Sequence, residues 1–122
     1  MLKRLWLIIA PLLAVPGIAG QGVSASTGSF LEAHCAKCHD DVERKGGLDL
    51  TALKFQPGDA SNFDVWVKIH DRVIAGEMPP REKPRPPRSE VGAFVTTLAG
   101  TLMAAERATV ATEGRATQRI ST

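Results

Sequence analysis

The residues with the most chemical reach occupy five consecutive positions, Cys35-Ala36-Lys37-Cys38-His39, and include the only two cysteines of the 122-residue chain. Two thiols separated by two residues on a tight helical turn can reach the two vinyl groups of one porphyrin edge as thioethers. A histidine next in sequence then falls beneath the iron. The pattern points to one covalently attached haem c, held by Cys35, Cys38 and His39. Three other uses fit less well. A redox dithiol wants a strand before the pair and a parallel sheet around it, and neither is visible. Structural zinc needs four ligands, and two thiolates with His34 and His39 make a poor tetrahedron. A short disulfide suits an oxidising compartment but leaves the histidine without a role.

The other axial position of such an iron decides the chemistry, because an open site invites peroxide or gas binding and a closed one favours electron transfer. Met78, in Gly76-Glu77-Met78-Pro79-Pro80, is the candidate. The proline pair biases it out of helix and into a loop that can return to the distal face. A methionine that only fills a core gap belongs on a helical stripe, as Met103 does. Trp66 is a core residue whose ring N–H could also reach a haem propionate. His70 reads first as a buried histidine satisfied by a backbone carbonyl, second as a propionate contact and third as an alternative iron ligand. Arg81, Lys83, Arg85 and Arg88 read as a solvated loop face, or as a docking patch for an acidic redox partner.

The elements that must position these residues are helical, with no alternating strand run of useful length. A first helix is expected from Ser29 as N-cap through Phe30, Leu31 and His34 to the Cys35 region. A loop follows over 40–59, punctuated by Gly46-Gly47 and Pro57-Gly58. A second helix, from near Ser61 to just before Gly76, carries Phe63, Trp66, Val67, Val73 and Ile74 as a stripe turned toward the haem pocket. Residues 79–87 hold five of the eight prolines and must be extended. The last helix opens at Ser89 with Val91, Phe94, Val95, Leu98 and Leu102 on one face, and its Gly92 and Gly100 suit places where another backbone comes close. Beyond Glu106 the chain lacks an apolar face and reads as a disordered tail or a truncated linker over 106–122. The expected fold is all-α, three to four helices around the haem.

Met1 to Arg4 form a positive start, followed by an apolar run from Leu5 and a small-residue segment to Ala25: an export signal over 1–25. Its fifteen-residue apolar stretch, broken by prolines, falls short of the ~20 residues of a spanning helix, so a membrane association arises only if the signal is retained. Cleavage after Ala25, or after Ala19 or Gly20, leaves a soluble, periplasmic or otherwise exported protein whose domain occupies 26–105. Basic and acidic residues number 15 and 13, and without Lys3 and Arg4 they balance at 13 each. A neutral chain has no field for steering polyanions, which excludes nucleic acid as a partner. With four phenylalanines and no tyrosine, about 97 residues make only a modest core, and an apolar cofactor would add to it.

Over about residues 29 to 103 these features resemble class I cytochrome c and, more narrowly, the planctomycete-type cytochrome c domain. The Cys35 to His39 motif, the Gly46-Gly47-Leu48-Asp49-Leu50 turn, Trp66 and the Gly76 to Pro80 segment occur in that family's order and similar spacing. Phe30 looks like the aromatic of the first helix that packs on the last helix, with Phe94 as its partner. The resemblance implies covalent haem, His39 and Met78 as axial ligands, one-electron transfer, and no substrate chemistry of its own. It also implies an electron partner, either another protein or a domain downstream, since such domains often lead much longer chains. A five-coordinate haem site for peroxide or gas chemistry is the alternative. A redox-inactive interaction module rests on the proline-rich basic loop alone.

Overall fold

Ser24, not Ser29, opens the first helix. Its hydroxyl accepts from the Thr27 N–H at 3.2 Å, and α1 runs over Ala25–His34. Ser29 lies inside that helix and returns its own hydroxyl to the Ala25 carbonyl. The computed structural model describes residues 22–120; most of the segment read as an export signal lies outside them. Two further helices follow, α2 over Ala60–Ile74 and α3 over Arg88–Ile120, with one short 3₁₀ turn over Lys45–Gly47. No strand occurs among the described residues, so the expected all-α class holds.

Helix α2 begins where Asp59 accepts from the Asn62 N–H at 3.1 Å. Asn62 and Trp66, one turn apart, both donate to the Lys54 carbonyl, at 2.8 and 3.1 Å. Together they fold the end of the long loop back onto the helix. The buried stripe of α2 is Trp66, Ile69 and Val73, whereas Ile74 is 60% exposed. The sequence reading set that stripe about one position too far round the helix, because Trp66, Ile69 and Val73 fall within one narrow arc whereas Ile74 lies about 100° round from Val73.

Helix α3 packs against both α1 and α2, while α1 and α2 do not pack directly on each other. Phe30 stacks on Phe94 with ring centroids 4.2 Å apart and planes 21° apart, the pairing expected from the sequence. Leu98 and Leu102 continue the α3 face inward and Trp66, Ile69 and Val73 meet them from α2. Gly92 and Gly100 are exposed, and a methyl group built on either would meet nothing within 4 Å. They make no room for a neighbouring backbone. Met103 is 54% exposed and fills no gap.

Beyond Ala105 the helix does not fray at Glu106 but continues to Ile120. Every residue from Glu106 to Gly114 is exposed. This stretch has no packing face, as the sequence indicated, but its alanines, glutamates and arginines favour helix and no proline interrupts it. Absence of an apolar stripe removes the tertiary support for a helix without removing the backbone preference.

Candidate functional site

The polypeptide turns at the end of α1 and brings its reactive residues to one wall. Cys35 is the C-cap, its N–H bonded to the Leu31 carbonyl, and Cys38 and His39 both return N–H bonds to the Cys35 carbonyl at 3.2 Å. The Cys35 to His39 segment is therefore a single tight turn, the geometry that a two-residue spacing between thioether sulfurs requires. Both thiols are free. Burial, reinforced by the neighbouring Cys38, pushes the Cys35 thiol up from 9.0 to about 11, so it is held as the neutral thiol.

The loop after this turn is built around His39. Arg44, Gly46 and Gly47 adopt positive φ of 42°, 65° and 76°, and the two glycines take that conformation without a side-chain clash. The resulting reversal lets Lys45 donate its N–H to the Cys38 carbonyl at 3.0 Å and Leu50 donate to the His39 carbonyl at 2.7 Å. It also places the Lys45 carbonyl 2.8 Å from His39 Nδ1. A carbonyl can only accept, so Nδ1 carries the proton and the Nε2 lone pair is left for a metal. Downstream, Asp49 caps the turn over Thr51 and Ala52. The Thr51 hydroxyl bond to Asp49 is the main influence holding that carboxyl below the usual range, with backbone bonds and Arg44 adding to it.

Cys35, His39 and Met78 all line one cavity of about 400 Å³, set in the gap between the end of α1 and the face of α2. This volume lies within the ~300–1,000 Å³ of typical cofactor sites. Leu31, Leu48, Leu50, Val65, Ile69 and Val73 make its walls apolar, and Lys45, Lys68 and Arg72 bring three cations to it. An apolar slot bordered by cations suits a flat macrocycle with ionised carboxylate arms, so the donor set and the surroundings both fit haem c. Among the described residues no three His, Cys, Asp or Glu side chains gather in one place.

Trp66 is placed differently. It is 2% exposed and its ring lies edge-on to Phe55 at 5.7 Å, but it is not part of the cavity lining and its N–H is taken by Lys54. The α2 residues that line the cavity are Val65, Lys68, Ile69, Arg72 and Val73. Their spacing of three and four was legible in the sequence, but the two cations interrupted the apolar pattern and hid it. His70 bonds through Nδ1 to the Asp71 carboxylate at 2.9 Å rather than to a backbone carbonyl, and lies off the cavity lining. His34 joins α1 to α3 through Glu90 at 2.9 Å. Cys38 does not line the cavity in this conformation.

The loop carrying Met78 leaves the end of α2 with Gly76 at φ 73°. The N–H groups of Glu77 and Met78 return to the Arg72 carbonyl at 2.9 and 3.1 Å, and the Met78-Pro79 peptide is cis. Arg85 donates to the Gly76 and Pro79 carbonyls. It remains exposed, as the sequence indicated, but is tied to the loop backbone rather than free in solvent. No helix among the described residues is long and apolar enough to cross a membrane.

The family model described as Planctomycete cytochrome C matches residues 35–82, a span that begins at the first cysteine and includes His39, the glycine turn, α2 and Met78. No curated protein and no solved structure matches the chain.

Proposed function

We propose that the planctomycete-type cytochrome c domain which this chain carries is an exported, monohaem electron carrier, with His39 and Met78 closing both axial positions and no substrate chemistry of its own. The observation that carries this reading is the sharing of one apolar cavity by Cys35, His39 and Met78, with His39 Nδ1 already committed to the Lys45 carbonyl. When bound, haem c supplies a one-electron ferric/ferrous couple. Cys35 and Cys38 would hold the macrocycle at the turn after α1. His39 is held in one tautomer with Nε2 available, and Met78 offers a soft thioether that favours the ferrous state. The apolar walls of Leu48, Leu50, Val65, Ile69 and Val73 would limit the solvent in contact with such a group and so the reorganisation that accompanies a change of charge. Lys45, Lys68 and Arg72 are suited to carboxylate arms.

Were His39 and Met78 both to hold the iron, no position would remain for a substrate, and the chemistry supplied would be outer-sphere transfer to a redox partner protein or to a domain downstream. The positive start and short apolar run at the N-terminus support export, and covalent haem attachment through two cysteines suits the same route. The test is an optical spectrum of the exported protein in both oxidation states, combined with a pyridine haemochrome assay. Covalent haem with the weak sulfur-to-iron band near the red end is the expected result. Covalent haem without that band would overturn Met78 ligation, and no haem after expression with attachment machinery would overturn the whole reading.

A further inference from the structure

Two carbonyls bracket Met78, those of Gly76 and Pro79, and one side chain holds both. Arg85 donates from Nη2 to Gly76 at 3.3 Å and from Nη1 to Pro79. Its place on the chain is stiff, since Pro84 precedes it and Pro86-Pro87 follow. Pro79 and Pro86 are buried, so both ends of this contact are seated against the body of the protein. On the other side, the Arg72 carbonyl receives the Glu77 and Met78 N–H groups, and the Arg72 guanidinium meets the Glu77 carboxylate at 2.8 Å. The loop is thus tied to α2 by its own amides and closed from the outer side by Arg85.

We propose that Arg85 is a positioning residue for Met78: its guanidinium fork keeps the loop closed and so sets how often the thioether leaves the iron. This rests on the reading of Met78 as an axial ligand. The fork matters because a guanidinium presents separate, coplanar N–H donors that can serve two carbonyls at once, whereas an ammonium is a compact point charge. A thioether is a weak ligand, and a small molecule binds the iron only in the open fraction of the population. Its apparent affinity therefore scales with that fraction. Loss of charged hydrogen bonds that exist only in the closed loop raises the open fraction about tenfold or more.

The experiment uses the ferric holoprotein in four forms: wild type, Arg85→Ala, Arg85→Lys and Arg81→Ala. Imidazole serves as the exogenous ligand, and the sulfur-to-iron band and thermal midpoint are read alongside. Arg85→Ala is expected to bind imidazole about tenfold tighter or more and to lose band intensity, with Arg85→Lys intermediate and Arg81→Ala like wild type. Should Arg85→Ala fail to fold, the contrast of Arg85→Lys with Arg81→Ala carries the same expectation. A lower thermal midpoint with unchanged band and imidazole affinity would overturn the proposal by making Arg85 merely structural. So would an equal change in Arg81→Ala, which would make the effect one of net charge. A wild-type band with no difference among variants would sink the inference and leave Met78 ligation standing. A wild type without the band would remove both.

Discussion

The two sides of α1 are completed by different means. Toward α3, Phe30 stacks on Phe94 and the face continues through Leu98, which is fully buried, to Leu102. This interface is filled by the chain itself. Toward α2 there is no direct helix packing, and the space between holds the apolar cavity lined by Leu31, Cys35, Ile69 and Val73. A domain of this size has too few large side chains to close both sides. The difference teaches that the chain closes one side of α1 by itself and leaves on the other an apolar cavity that the proposed haem would fill. The cavity side is shaped by the Cys35 to His39 turn, and the α3 side depends on ordinary side-chain packing.

Removing the tether breaks the comparison most severely. Cys35→Ala with Cys38→Ala is expected to leave a chain without cooperative thermal unfolding or native helix content, as followed by circular dichroism. Native-like cooperativity without haem would show that the cavity side stands by itself. The intact, reduced apoprotein gives a finer version of this test. With the cavity side loosened, Cys35 should titrate near the ordinary 9.0, followed by the pH dependence of alkylation. A value near the 11 of the folded turn would mean that the burial survives without the cofactor.

On the packed side, Leu98→Ala in the holoprotein should cost about 2–5 kcal/mol, seen as a drop in denaturation midpoint with the haem spectrum retained. An effect below about 1 kcal/mol would mean that haem attachment, not this interface, dominates the stability. Gly92→Ala and Gly100→Ala should each stabilise α3 by up to about 1 kcal/mol, since both positions are helical, exposed and free of close neighbours. Destabilisation by either would reveal a contact on the outer face of α3.

The smallest effect belongs to Asp49 in the haem-side loop. Its carboxyl is held below the ordinary range chiefly by the Thr51 hydroxyl. Its contribution is therefore present above the unfolded-state pKa and lost as pH falls through the lower folded one. Asp49→Asn should lower the thermal midpoint slightly at neutral pH and flatten its acid limb, so that variant and wild type converge as pH falls through the lower folded pKa. An acid limb identical to wild type would remove Asp49 from the loop's pH response.

Much of the site was legible because its residues are close in sequence. Cys35, Cys38 and His39 form a pattern that few other chemistries need, and the Gly46-Gly47 pair marks the reversal that brings the Lys45 carbonyl to His39. The Phe30 and Phe94 pairing followed from the family resemblance alone. Less legible were contacts in which a side chain meets a distant backbone carbonyl. Lys54 takes the Trp66 N–H, and Gly76 and Pro79 take Arg85. A carbonyl is present in every residue, so sequence carries no mark of which one is used. The start of α1 was misplaced for a related reason: Ser24, Ser26 and Ser29 are all competent caps, and only the direction of the chain selects one.

The amino-acid sequence by itself determined the helical class, the tight turn from Cys35 to His39 and the side-chain chemistry available there, because these depend on neighbouring residue types and on local backbone preference. Tertiary structure decided that α1 and α2 stand apart across an apolar cavity, that Trp66 faces Lys54 rather than that cavity, and that Arg85 closes the loop of Met78. Those outcomes depend on which distant surfaces meet. That is settled by the summed packing of the whole chain and is written in no single segment.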